Sequence, residues 1–290
     1  MICTALSICP SISGSNRLQP YRRVVTLVKP SNILAAAKTA KPSKPKSKGK
    51  STKNKRINSF RFKKDFLQLD ATPESTWVPF SSPVDKSSDE IQREILRSNN
   101  KPNIKSWRGC KHALYEFIDN YDGKVQDQYT SIWYDFTKSE TDNHAPLSVE
   151  HIVPRSVVQK FSEIVQDLHN LIPVESNLNS RRQSYPFGPG NCANDASCLE
   201  NKKMLIRDEI KGFIARSVIY VFVMYEMKLK DRMKLDVDAV GKMEMLVDWC
   251  LTFQPTDYEL NRNARIEKSQ GNRNPFIDDT ELCKLALSIK

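Results

Sequence analysis

No acidic residue occurs before Asp65: residues 1–64 carry 16 Lys and Arg and no Asp or Glu, while the remainder of the 290-residue chain holds 29 basic against 34 acidic residues. A segment of one charge sign with few core-forming side chains repels itself and buries too little apolar surface to offset the entropy of ordering it. The fold must therefore come from residues beyond this tail. The sequence divides into a basic tail over 1–64, read as a disordered targeting or linker segment, and a folded domain over 65–290. The whole net charge of +11 belongs to the tail. Any phosphate-binding surface on the slightly acidic domain has to be a local patch, not a global field.

Within the tail, residues 1–40 are free of acid, contain several Ser and Thr, and carry scattered positives at Arg17, Arg22, Arg23, Lys29 and Lys38. That pattern is typical of an organellar transit peptide, for plastid or mitochondrion, with the nucleus or secretion as alternatives. Residues 41–56 place eight Lys and Arg among Pro, Ser and Gly, a nuclear-localisation-like cluster, a phosphate-binding arm or a solvated linker. The seven cysteines have irregular spacings and no CxxC, which does not read as a disulfide framework and fits a reducing compartment. Cys192 and Cys198 bracket a loop that could close a bridge or bind a metal; they are read as plain loop residues.

Several function classes are excluded. There is no GxGxxG, and GKST at 49–52 lacks the earlier glycine of a phosphate loop because position 44 is Lys44. Nothing resembles a helix-turn-helix or a zinc finger. The most apolar stretch, Phe213–Met227, contains Arg216 and Glu226 and is shorter than the ~20 residues a membrane span needs. Leu205–Lys230 reads instead as a long buried helix, with apolar residues at helical spacing. Further helices are expected over Asp89–Arg97, Ser106–Asn120, Ala239–Phe253 and Asp257–Lys268. Strand signals fall in the middle, at Tyr129–Phe136, Leu147–Val153 and Leu168–Pro173. The fold class is α+β: a small sheet embedded in a mostly helical domain.

The chemistry concentrates between 147 and 188. LSVEHIVPRS puts Glu150 and His151 at the end of a short strand, and DLHNLIPVESNLNSRRQSYPFG supplies a second strand and then a helix start carrying Asn179. Neighbouring strand residues point to opposite faces, so Glu150 and His151 share a site only where the strand ends, and Pro154 would end it. A carboxylate and an amide oxygen suit a hard cation. A neutral imidazole beside them can take a proton from water near neutral pH.

These motifs resemble the endonuclease I family of non-specific nucleases, with its ββα-metal (His-Me finger) core of two strands and a helix. EHIVP, DLHNLIP and NSRRQSYPFG match its central motifs. DWCLTFQPTDYELNRN at Asp248–Asn263 and QGNRNPFID at 270–278 match its downstream ones. The resemblance runs from about residue 107 to 282. It implies a metal-dependent endonuclease acting on DNA, with RNA as a second candidate. Little sequence preference is implied, because phosphate contacts carry no sequence information.

In that reading His151 is the general base and Glu150 and Asn179 hold one divalent cation, Mg²⁺ with Mn²⁺ or Ca²⁺ as alternatives. Arg182 contacts the scissile or a neighbouring phosphate, and Arg181, Arg155 and His169 are further nucleic-acid contacts. Products carry a 5′ phosphate. The chain departs from the family pattern at Gln183–Ser184. Asp167 orients a histidine or caps a turn; His112 and His144 are structural or exposed; Arg273, Asn274 and Asp278 form a carboxy-terminal clasp. Trp107, Trp133 and Trp249 are core residues, no membrane is involved, and the protein is a monomer. The competing reading is a catalytically inactive nucleic-acid-binding protein on a nuclease fold, against which the joint presence of Glu150, His151 and Asn179 speaks.

Overall fold

A computed structural model describes residues 86–99, 101–136, 146–193, 196–226 and 239–288. The basic tail with its targeting segment, the proposed boundary at residue 64 and His144 lie outside the described residues.

The core is organised by one helix. The apolar run expected over Leu205–Lys230 forms a helix over Asp208–Met224, with Asp208 and Glu209 in its first turn, where acidic side chains complement the helix dipole. Every residue from Ile210 to Val223 is buried, so the helix is packed on all sides. Residues 227–230 of the expected helix lie outside the described residues.

In chain order the other helices are α1 (Ser88–Ser98), α2 (Trp107–Ala113), α3 (Arg155–Val158), α4 (Ser162–Val165) and α5 (Ser176–Arg182); the central helix is α6, followed by α7 (Met243–Thr252), α8 (Asp257–Gln270) and α9 (Pro275–Asp278). A cation inside α6 needs a partner, and Arg216 has one: Nε and Nη2 each donate at 2.6 Å to the buried carboxylate of Glu259 on α8. Its Nη1 donates to the carbonyls of Cys250 and Phe253. Gly212 makes this close packing possible, since a Cβ there would lie 2.0 Å from the Phe253 carbonyl oxygen.

Three small sheets surround this core. Strands β1 (Asn120–Tyr121), β2 (Lys124–Gln126) and β3 (Trp133–Asp135) form an antiparallel meander. Strands β4 (Leu147–His151) and β5 (Leu171–Glu175) pair antiparallel, from Leu147 opposite Glu175 to His151 opposite Leu171. Strand β6 (Phe187–Gly188) runs parallel to β8 (Lys203–Leu205), which also pairs antiparallel with β7 (Cys198–Glu200). β5 leads directly into α5, whose first turn is capped by the Glu175 carboxylate accepting from Leu178 N–H at 2.9 Å. The class is α+β, with a two-strand-and-helix unit formed by β4, β5 and α5.

Several expectations are corrected. The strand expected over Tyr129–Phe136 is only Trp133–Asp135, because Asp127 accepts hydrogen bonds from Tyr129 N–H and the Thr130 hydroxyl and turns the chain. Leu168–Asn170 is a 3₁₀ turn capped by Asp167, so the strand starts at Leu171. The helix expected over Ser106–Asn120 loosens into a π turn over Leu114–Ile118 before β1 begins. Cys192 pairs with Cys198 and Cys250 with Cys283, leaving Cys110 as the free thiol among the described residues. The absence of a disulfide framework and the reducing compartment inferred from it are therefore not supported: Cys192 and Cys198 close the bridge their loop allowed instead of being plain loop residues, and Cys250 and Cys283, 33 positions apart, form a connectivity that spacing alone does not disclose. No helix among the described residues is long and apolar enough to cross a membrane.

Candidate active site

β4 stops at His151, and Pro154 caps the short helix after it. At this strand end the two neighbouring side chains take different environments. Glu150 is 3% exposed. Its Oε1 accepts from the Tyr129 hydroxyl at 2.9 Å and from Arg182 Nη1 at 2.5 Å. Tyr129 reaches it because the 127–130 turn docks on β5, Gln128 N–H donating to the Pro173 carbonyl at 3.1 Å. Burial pushes the Glu150 carboxyl up, and the Arg182 charge and the two hydrogen bonds work against that rise. The Tyr129 hydroxyl is pushed well above its ordinary value by the same burial, so it stays a donor.

Arg182, in the last turn of α5, is fully buried. Besides Glu150 it donates from Nη1 to the His151 carbonyl at 2.8 Å, from Nη2 to the Ile152 carbonyl at 3.0 Å and from Nε to the Tyr185 carbonyl at 3.3 Å. The guanidinium also lies over the Phe187 ring, 4.6 Å from its centroid. This differs from the expected phosphate contact: the guanidinium is fully buried and four of its five N–H groups are bonded to β4 and its surroundings.

His151 is half-buried. Its Nε2 lies 3.0 Å from the Val165 carbonyl oxygen. A carbonyl only accepts, so the proton is assigned to Nε2 and the lone pair to Nδ1. Burial pushes the imidazole down to about 4, against the Val165 bond, with the charges of Arg155 and Arg182 adding to the fall. At neutral pH the ring is uncharged and Nδ1 can accept a proton. The indole of Trp107 stacks on this ring, centroids 5.4 Å apart and planes within 9°. Trp107 is 37% exposed, which corrects its reading as a core residue.

Asn179 faces β4 from α5. Its Nδ2 donates to Ser148 Oγ at 2.9 Å and to the Val149 carbonyl at 3.2 Å. These bonds fix the amide on β4 through its donor end and leave Oδ1 as its acceptor. The donor set suits a hard cation: one carboxylate already committed through a single oxygen, and one amide oxygen. No cluster of three or more His, Cys, Asp or Glu that could hold a metal occurs among the described residues.

The other predicted contacts divide. Arg155 and Arg181 are exposed. Arg155 opens α3 just after His151, and Arg181 lines an open cleft of about 290 Å³ with Thr130, Tyr134, Glu175 and Leu199. His169 is 1% exposed and is corrected from a nucleic-acid contact to an interior group. Its ring packs against Tyr220, 4.6 Å between centroids, and its Nε2 lies 3.3 Å from the Asn272 carbonyl oxygen. Next to it the buried Asp167 accepts from His169 N–H and Gln270 Nε2 at 2.9 Å and from the hydroxyls of Tyr220 and Tyr225 at 2.9 and 2.6 Å.

The same network explains the carboxy-terminal motif: Arg273 pairs with Asp278, and Asn274 Nδ2 donates to the Arg216 carbonyl of α6. His112 pairs with Glu116 at 2.7 Å. At the departure from the family pattern, Gln183 takes φ 52° and ψ −117°, and Ser184 Oγ lies 2.8 Å from Ser156 Oγ of α3. Sequence reasoning missed Tyr129, Trp107 and the Val165 carbonyl. None carries a local signal, since each acts through a contact between elements distant in sequence.

The family model of Endonuclease I matches residues 89–281. A periplasmic deoxyribonuclease of Aeromonas hydrophila is 28% identical over 127 residues, 41% of this chain and 50% of that protein. An extracellular ribonuclease of Bacillus subtilis (strain 168) is 32% identical over 127 residues, 40% of this chain and 44% of that protein. An extracellular ribonuclease of Bacillus amyloliquefaciens is 33% identical over 221 residues, 61% of this chain and 73% of that protein. The chain thus spans about half the length of the first two relatives and nearly three quarters of the third.

Proposed function

The chain belongs to the endonuclease I family, and from that premise we propose that it is a metal-dependent nuclease that hydrolyses phosphodiester bonds of DNA or RNA. The observation that carries the reading is how His151 is held at the end of β4: its Nε2 is tied to the Val165 carbonyl, which leaves Nδ1 as the nitrogen that can take a proton, on the residue next to the buried Glu150 carboxylate. A base without a neighbouring electrophilic centre would be inert, and the paired oxygen donors supply a place for one.

His151 Nδ1 takes a proton from a water as its oxygen attacks phosphorus. The bond from phosphorus to the 3′ oxygen breaks and that oxygen takes a proton from solvent water, leaving a 5′ phosphate and a 3′ hydroxyl, while His151 later returns its proton to solvent. Glu150 and Asn179 hold a divalent cation, Mg²⁺ best fitting two hard oxygen donors completed by water. When bound it supplies electrostatic stabilisation of the charge that develops on the phosphate and leaving oxygens. Tyr129 and Arg182 keep Glu150 in place and reach no substrate. Arg155 and Arg181, exposed on α3 and α5, are the phosphate-contacting cations.

DNA and RNA both stand as substrates, because relatives named deoxyribonuclease and ribonuclease match the chain to similar degrees. Two disulfides, together with relatives named periplasmic and extracellular, support an oxidising compartment and the secreted alternative. The test is plasmid nicking with Mg²⁺ or EDTA, followed by DNA ligase. Mg²⁺-dependent nicks that reseal establish hydrolysis to 5′-phosphate and 3′-hydroxyl ends. Binding without nicking by the folded, Mg²⁺-supplied protein would replace this reading with the non-catalytic one.

A further inference from the structure

We propose that Trp107 is a positioning residue for the general base: its indole face sets the plane of the His151 ring and so aims Nδ1. The inference rests on the nuclease reading above. The bond from Nε2 to Val165 does not fix that plane. Nε2 sits across the ring from Cβ, close to the axis about which the imidazole turns, and torsions of this kind are broad. A second restraint perpendicular to the ring is needed, and the parallel indole, 5.4 Å away and tilted by 9°, supplies it.

The helix that carries Trp107 is tied to the segment that holds Nε2. Ser106 Oγ caps α2 by accepting from Gly109 N–H at 3.2 Å. One turn on, Cys110 Sγ donates to the Gln166 carbonyl at 3.1 Å, and Gln166 is the residue directly after Val165. The ring is therefore held on its face and at its edge by two parts of one assembly, so indole and carbonyl move together. Packing does not account for Trp107 in its place: it is 37% exposed and belongs to neither buried apolar cluster. Its stacked face is spent on His151.

The test compares full-length wild type, Trp107→Leu, Trp107→Phe and His151→Ala. His151 Hε1 in the wild type carries a ring-current shift, assigned by its loss from the spectrum of His151→Ala. Trp107→Leu removes the flat face while keeping apolar bulk. It is expected to lose the ring-current shift and to lower kcat about tenfold, the scale of a misaimed catalytic group, with KM unchanged. Trp107→Phe is expected to recover most of kcat.

An unchanged His151 resonance in Trp107→Leu overturns the proposal, as does an unchanged kcat. A change confined to KM also overturns it, since that would make Trp107 a substrate contact. If Trp107→Leu does not fold, Trp107→Met, which keeps apolar bulk without a flat ring, decides through the same resonance and kcat. Failure of the underlying reading would look different: His151→Ala would cleave at the wild-type rate, or the wild type would not cleave, and the resonance would still report whether the indole orders the ring.

Discussion

Arg182 grips the end of β4 at three successive residues: Nη1 reaches the Glu150 carboxylate at 2.5 Å and the His151 carbonyl at 2.8 Å, while Nη2 reaches the Ile152 carbonyl at 3.0 Å. One planar fork thus holds the Glu150 carboxylate and the His151 and Ile152 backbone, the proposed ligand and base among them, in register, a task that a point charge cannot reproduce. Arg182→Lys is expected to lower kcat while leaving the salt dependence of DNA binding unchanged. Arg155→Ala, at an exposed position, should flatten that dependence by about one counterion. Binding of both variants across a salt series checks this; a flattened slope in Arg182→Lys would return it to the phosphate.

Tyr129→Phe keeps the ring and removes one charge-assisted donor from Glu150. The expected loss is about 1.5–3 kcal/mol of stability, with a higher Mg²⁺ concentration needed for half-maximal rate. Denaturant titration and a Mg²⁺ titration of cleavage measure the two effects. A variant with wild-type stability and wild-type Mg²⁺ requirement would show that the 2.9 Å contact does not position the carboxylate.

The bridge between Cys250 and Cys283, 33 positions apart, joins α7 to the 3₁₀ helix over Thr280–Ser288. Replacing both by Ser should cost about 2–4 kcal/mol. The bridge between Cys192 and Cys198 spans 6 residues and should cost less, because loop-closure entropy grows with loop length. Thermal unfolding with and without reductant separates them: reductant is expected to lower Tm in the wild type and to have little further effect in the Cys250→Ser/Cys283→Ser pair.

His169 is buried neutral, held down to about 4 by desolvation against an ordinary value of 6.5. The unfolded chain binds the proton more readily, so stability is full above about pH 6.5 and falls as pH drops toward 4. His169→Gln, which keeps an amide donor for the Asn272 carbonyl, should flatten that acid limb. Urea unfolding at a series of pH values checks the slope; an unchanged slope would remove His169 from the acid response.

Much of this architecture is legible in local sequence. The apolar run of α6 can satisfy itself only inside a core, and the strand carrying Glu150 and His151 ends just before Pro154, as the position of that proline requires. What escapes a linear reading depends on distant segments meeting. Tyr129 lies in an aromatic, β-branched run that favours a strand, and the Asp127 turn overrides that propensity and frees its hydroxyl for Glu150. Arg182 and His169 carry the residue types of phosphate contacts, and only burial shows that one braces β4 and the other packs on Tyr220. Cys250 and Cys283, 33 positions apart, lie on elements whose proximity no spacing encodes.

The central claim is that His151 is the base. Its most direct test is single-turnover cleavage of one DNA duplex by wild type and His151→Ala, each with saturating Mg²⁺ and with EDTA, beside a thermal unfolding curve for both. A base at His151 predicts Mg²⁺-dependent cleavage by the wild type and a loss of about 10²–10⁴-fold in the variant, with folding intact. Cleavage by a folded His151→Ala at the wild-type rate would contradict it.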